Sequence, residues 1–130
     1  MIDYSHAGKW AYHVRALAIV ESQENEREMG DGGRAFGLLQ MHADRFLQES
    51  NRFPQFKVQV GDTVTVAQIK AAACWFQRMM AESQPLVVMA WNLGEFAVFA
   101  EGKRNQEYYD RWKAAYDQAR SDGGEMPIRS

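Results

Sequence analysis

A short run that is apolar on every side, residues 86–91 (Leu-Val-Val-Met-Ala-Trp), constrains the fold of this 130-residue chain most strongly. Pro85 before it is tolerated in the first turn of a helix, and Gly94 after it can adopt the left-handed conformation of a helix C-cap. A helix without a polar face has to be covered on all sides. The run therefore predicts one buried helix with the other helices packed around it.

Four further segments place apolar residues at helical spacing and begin at about Ala7, His42, Thr65 and Asn105. Their predicted inward positions are Trp10, Val14 and Leu17; Phe46 and Leu47; Val66, Ile69, Ala73, Phe76 and Met80; and Tyr108, Trp112, Ala115 and Ala119. Alternating Phe56, Val58 and Val60 predict a small extended segment. The fold class expected is mostly α, a helical bundle around one buried helix with a small β-turn or hairpin region.

The length and composition exclude several classes of protein. The chain fits one domain, expected to cover residues 1–122, followed by a mobile C-terminal tail at 123–130. No apolar run has the length of a transmembrane helix, and the N-terminus lacks the regions of a signal peptide. The single Cys74 excludes an internal disulfide, and a net charge of −2 gives no electrostatic case for nucleic acid. We expect a monomer without cofactor, metal or stable membrane insertion.

Glu21 continues the apolar stripe that Val14 and Leu17 form on the first helix. Apolar surroundings disfavour the charged form of a carboxylic acid and raise its pKa. A general acid that works near neutral pH needs such a shift. From periodicity alone, a solvated glutamate at a frayed helix end is an equal alternative.

Three more polar residues have two readings each. Asp31 lies in the glycine-rich turn of residues 30–33, where it either stabilises the turn or serves as a catalytic carboxylate. Gln40 ends an apolar run and either satisfies nearby backbone or holds a substrate group. Asn92 follows the buried run, where it is either a helix C-cap or a ligand contact.

Four pieces of the chain, taken in order, resemble the goose-type lysozyme and soluble lytic transglycosylase families. Glu21 and Ser22 are similar to the E-S pair of those families, whose Glu is the catalytic acid. Residues 30–40 (G-D-G-G-R-A-F-G-L-L-Q) are similar to the goose-type G-D-x-G-x-x-F-G-L-M-Q segment. Residues 90–94 (A-W-N-L-G) are similar to the A-Y-N-x-G motif of the sugar cleft, and Tyr108 to a late tyrosine close to the catalytic Glu.

The resemblance implies a lysozyme-like catalytic domain that cleaves the β-1,4 bond between N-acetylmuramic acid and N-acetylglucosamine in peptidoglycan. It implies that Glu21 is the general acid and Asp31 a candidate water-activating base. The substrate-binding residues that we expect are Ser22, Phe36, Gln40, Trp91, Asn92 and Tyr108. No metal ligand and no cofactor are implied.

The product of the reaction stays open at this point, because His42 stands where the goose-type family often has a second aspartate. A hydrolase (muramidase) would use Asp31 to activate water, whereas a lytic transglycosylase would form 1,6-anhydro ends with the same Glu21. A third alternative is a catalytically inactive module that binds peptidoglycan or has a structural role. The expected partner is a peptidoglycan glycan strand. Without a visible signal peptide, we expect a bacteriophage-type enzyme that is made in the cytoplasm and acts on the wall after release, or a virion-associated one.

Overall fold

The computed structural model describes residues 2–122, which form five α-helices and one two-stranded antiparallel sheet. The helices are α1 (Ala11–Ser22), α2 (Ala43–Glu49), α3 (Val64–Arg78), α4 (Gln84–Leu93) and α5 (Gln106–Asp122). Short 3-10 helices occupy Tyr4–Trp10, Asp31–Gly33 and Pro54–Phe56, and a π-helical turn occupies Phe96–Ala100. Strands β1 (Met29–Gly30) and β2 (Ala35–Phe36) pair with Met29 opposite Phe36. The prediction of a mostly α fold with a small hairpin is confirmed, and the predicted tail lies outside the described residues.

Helices α3 and α4 form the centre of the core. Residues 67–76 of α3 are buried without interruption, as are residues 87–91 of α4, so the predicted buried run is confirmed. The start of α3 differs from the prediction, because Thr63 rather than Thr65 accepts the N–H of Val66 and caps the helix. Met80 lies beyond the end of α3 and is exposed, contrary to its predicted inward position.

Helices α1 and α5 pack against each other on one side of this core. The predicted stripe of α5 is confirmed, since Tyr108, Trp112, Ala115 and Ala119 are all buried. The first helix begins later than predicted, at Ala11 instead of about Ala7, because Gly8 adopts φ 57° and ψ −129° and interrupts the helical path. Within residues 2–122, no helix combines the length and the apolar composition that crossing a membrane requires.

Two further predictions are wrong, namely the inward position of Leu47 and the extended segment at Val58 and Val60. Leu47 is 74% exposed, because the buried position on α2 belongs to Glu49, which forms an ion pair with Arg78 across 2.6 Å. A residue two positions away points to the other side of a helix, so α2 does not bury both.

The segment around Val58 and Val60 is not a strand, and Val60 is fully exposed. Side chains satisfy its backbone groups instead. The Asn51 amide oxygen accepts the N–H of Val58 at 2.8 Å, and Lys70 donates to the carbonyl of Lys57 at 3.1 Å. A partner strand is therefore not needed for these groups.

Candidate active site

Glu21 lies in the last turn of α1, one helical turn after the fully buried Leu17. The helix ends immediately afterwards, because Gln23 adopts the left-handed conformation with φ 53°. The Tyr108 hydroxyl of α5 donates a hydrogen bond to Glu21 Oε2 at 2.5 Å. Since Tyr108 itself is buried, this bond fixes the carboxyl group from behind.

Burial raises the pKa of Glu21 above its ordinary value. Donation from Tyr108 and the positive charges of Arg45 and Arg111 stabilise the anion and oppose this shift, but burial dominates. Among residues 2–122, no basic side chain forms an ion pair with Glu21. The expectation of a carboxylic acid whose protonated form is favoured is confirmed.

Asp31 lies at the tip of the β1–β2 hairpin, where it adopts a positive φ of 51°. Its side chain is 61% exposed and faces the cleft that also contains Glu21. The Nε2 atom of His42, the residue before α2, lies 2.9 Å from Asp31 Oδ2. The second carboxylate of the site is therefore paired with an imidazole.

Gln40 holds the base of the hairpin. Its side-chain Nε2 donates to the carbonyls of Glu28 and Gly37, each at 2.9 Å. Its Oε1 lies against Gly30, where a Cβ atom would come within 2.5 Å of that oxygen. Gln40 lines the cleft, but both hydrogens of its amide are used by backbone, so the backbone-satisfying role left open by the sequence is present.

Two buried polar side chains anchor the turn that follows β2. The Ser22 hydroxyl donates to the carbonyl of Leu38 at 2.6 Å. The amide of Gln68, a fully buried residue of α3, accepts the N–H of Leu39 and donates to the carbonyl of Phe36. These contacts fix the hairpin relative to α1 and α3, and through them the separation of the two carboxylates.

Arg45 connects α2, which lines one side of the cleft, with the end of α4, which also lines it. Its Nη1 donates to the carbonyl of Trp91 at 2.6 Å, at the end of α4 where carbonyls lack helical partners. Its guanidinium lies 4.8 Å from the ring centroid of Trp91 and 5.1 Å from that of Trp75. A positive charge is thereby held beside Glu21.

The second wall of the cleft, besides the one formed by the hairpin and α2, consists of residues 91–94 at the end of α4. Asn92 is exposed, and its Oδ1 accepts a hydrogen bond from Asn105 Nδ2 at 2.8 Å. Gly94 has φ 99° and ψ 148°, so the chain turns after α4 through a positive φ, but not in the left-handed helical conformation predicted for the C-cap. Asn92 lines the cleft, and within residues 2–122 its amide nitrogen donates no hydrogen bond.

The cleft between these walls has a volume of about 600 Å³. It brings together five of the predicted site residues, namely Glu21, Asp31, Gln40, Trp91 and Asn92. Ser22, Phe36 and Tyr108 do not line it: Ser22 and Tyr108 are buried behind Glu21, and Phe36 is half-buried in β2. Their contacts are with the protein.

Four polar residues of the lining were not among the predicted site residues: His42, Asp44, Arg45 and Gln48. His42, Arg45 and Gln48 recur at a spacing of three, which places them on one face of α2. This polar stripe was a signal available in the sequence. Among residues 2–122, no group of three or more His, Cys, Asp or Glu side chains is placed to hold a metal ion.

Comparison of the chain with protein-family models, with curated proteins and with solved structures finds no match.

Proposed function

We propose that the chain is a peptidoglycan-cleaving glycosidase that acts on the β-1,4 bond between N-acetylmuramic acid and N-acetylglucosamine. The observation that carries the proposal is Glu21, a partly buried carboxyl group with a raised pKa, positioned at a cleft between two polar walls. A protonated carboxyl group in such a place can donate its proton to the glycosidic oxygen as the bond breaks.

The surroundings of Glu21 support both halves of this step. Burial raises the pKa of Glu21 and so favours the protonated form before the reaction, and Tyr108 and the charge of Arg45 stabilise the carboxylate that remains after transfer. The Asn92 amide offers a donor at the cleft, which suits a sugar hydroxyl or acetamide carbonyl. The proposal of peptidoglycan as the substrate comes from the similarity of the motifs to those of the goose-type lysozyme and lytic transglycosylase families.

In the hydrolase version, Asp31 activates a water on the opposite face of the sugar ring and the anomeric configuration inverts. In the lytic transglycosylase version, the C6 hydroxyl of the muramic acid attacks instead and a 1,6-anhydro end forms. Asp31 is paired with His42, so one oxygen of its carboxylate is already occupied by the imidazole. This pairing is the reason to retain the lytic transglycosylase version as an alternative.

The proposal is tested with Glu21→Gln, which keeps the shape of the side chain and removes the transferable proton. We expect the rate of wall cleavage to fall by about 10²–10⁴, the usual size of a general-acid contribution, without loss of the fold. Glu107→Gln, the same change at an exposed position of α5, is the matched control. Near-full activity of Glu21→Gln would remove Glu21 from the mechanism.

Asp31→Asn distinguishes the two versions. If Asp31 activates water, the variant loses the release of reducing ends sharply. If the C6 hydroxyl is the nucleophile, release of anhydro ends continues and only the hairpin loses some stability, measured as the melting temperature. Unchanged release of reducing ends would contradict the role of Asp31 as the base.

A further inference from the structure

A second groove, of about 540 Å³, continues from the cleft that contains Glu21. The two share Arg45, Gln48, Leu93 and Gly94 in their linings, so they adjoin each other at these residues. Beyond these residues the second groove passes along the π-helical turn Phe96–Ala100. A linear polymer bound in the first cleft therefore has a path into the second.

Phe96 lines this groove and is 72% exposed. An exposed aromatic ring on a mobile loop would not indicate a binding site. The π-helical turn that carries Phe96, however, is held in place. The backbone N–H of Lys103 donates to the carbonyl of Ala97 at 2.8 Å, and Arg104 donates to the carbonyl of Val98 at 3.1 Å. π-helical turns are frequent at functional sites, and this one presents a fixed apolar ring to solvent.

Trp75, which is only 1% exposed, also lines the groove. Its ring is flanked by the guanidinium groups of Arg45 and Arg78, and its indole nitrogen has no hydrogen-bond partner among residues 2–122. An indole N–H is a donor only, and a buried donor without an acceptor is costly. Because the indole nitrogen is buried, Trp75 forms the floor of the groove and does not donate to a ligand in it.

The charged groups of the groove distinguish between possible ligands. Glu49 and Glu95 share Arg78, and Glu101 lies at the groove beside Lys103. The three carboxylates are balanced by Arg45, Arg78 and Lys103, so these six groups carry no net charge that would attract a charged ligand. Glu101 is exposed and can accept a hydrogen bond from a hydroxyl group. Together with an exposed aromatic ring and the Gln48 amide, this composition suits an uncharged sugar.

We propose that the second groove is an additional sugar subsite, in which an N-acetylhexosamine ring of the glycan strand packs its apolar face on Phe96. The proposal rests on the function proposed above and names where the strand runs beyond the bond that is cleaved. Glu101 and Gln48 bind the hydroxyl and acetamide groups of this sugar.

The test uses Glu21→Gln as the parent, so that the ligand is bound and not cleaved, and a hexamer of β-1,4-linked N-acetylglucosamine as the probe. Dissociation constants are measured by calorimetry for the parent and for the parent carrying Phe96→Ala or Phe99→Ala. Phe99 is the matched control, because it belongs to the same π-helical turn, is 39% exposed and does not line the groove. We expect Phe96→Ala to weaken binding about fivefold to tenfold, the size of an aromatic contact, and Phe99→Ala to leave it unchanged.

A second readout is the indole N–H resonance of Trp75, which we expect to shift when the hexamer is added to the Phe99→Ala protein and to shift less in Phe96→Ala. Equal affinities of the two Phe variants, or no binding of the hexamer by the parent, would overturn the subsite. Weakening by Phe96→Ala that is seen only with fragments carrying stem peptides would assign the groove to the peptide and overturn the sugar proposal. Wall cleavage by the unmodified protein, measured separately, decides whether the function itself or only the subsite has failed.

Discussion

Replacing Tyr108 by Phe removes the hydroxyl group that donates to Glu21 and leaves the ring in the core. Burial and the neighbouring Glu21 charge raise the pKa of Tyr108 well above its ordinary value, so the phenol remains a donor while Glu21 titrates. A hydrogen bond contributes about 1.5–3 kcal/mol when one partner is charged and about 0.5–1.5 kcal/mol when both are neutral. Tyr108→Phe therefore disfavours the Glu21 anion by about 1–1.5 kcal/mol relative to the acid, or about one pKa unit.

The direction of the change follows from the pKa of Glu21, which burial has already raised and Tyr108 partly lowers. Without the hydroxyl group the pKa rises further, and Glu21 keeps its proton to higher pH. The alkaline limb of the activity profile, where the general acid loses its proton, moves upward by about one pH unit.

The free energy of unfolding should depend on pH through the same carboxyl group. A carboxyl group whose pKa is higher in the folded protein contributes stability that is present below its unfolded pKa and is lost as the pH rises through the folded pKa. The free energy of unfolding of Tyr108→Phe should therefore fall more, relative to the unmodified protein, above the pKa of Glu21 than below it.

The assay is the pH dependence of kcat/KM for wall cleavage, together with the carboxyl ¹³C resonance of Glu21 followed by NMR. Tyr109→Phe is the control, because Tyr109 is the next residue of α5, is half-buried and stacks on Trp112 instead of contacting Glu21. An alkaline limb that stays in place in Tyr108→Phe, or moves to lower pH, would refute the reasoning.

Two further predictions separate structural residues from binding residues. Ser22→Ala leaves the Leu38 carbonyl without its donor and should lower the free energy of unfolding by about 1–3 kcal/mol in urea denaturation, with KM unchanged; a raised KM without loss of stability would make Ser22 a substrate contact. Asn92→Ala should raise KM and leave both the alkaline limb and the stability nearly unchanged, whereas Gln40→Ala should lower activity and stability together because two backbone carbonyls lose their donor. Equal stability losses in the two amide variants would contradict this division.

The parts of the fold that the sequence predicted are those set by local periodicity. The run at 86–91 has no polar face and is buried from 87 to 91, and the stripe of α5 repeats apolar residues at helical spacing, so the burial of each follows from its own segment. For Glu21, periodicity placed the side chain on the stripe of Leu17 but left a solvated position equally open, and the structure places it in a half-buried position.

The parts that the sequence did not predict depend on partners far away in the chain. Arg45 caps α4 through the carbonyl of Trp91, 46 positions later. Gln68 holds the backbone around Leu39 from 29 positions away, and Glu49 takes the inward position on α2 because Arg78 meets it there. Spacing along one segment carries no information about such contacts, since long-range packing overrides local preference.

The most direct test of the central claim, that the cleft at Glu21 breaks the glycan strand of peptidoglycan, is one mass spectrum of purified peptidoglycan after digestion by the unmodified protein. The account predicts new glycan ends at N-acetylmuramic acid, either reducing ends or anhydro ends that are lighter by one water, and predicts that Glu21→Gln produces neither. Intact glycan strands after digestion by a folded, unmodified protein would contradict it.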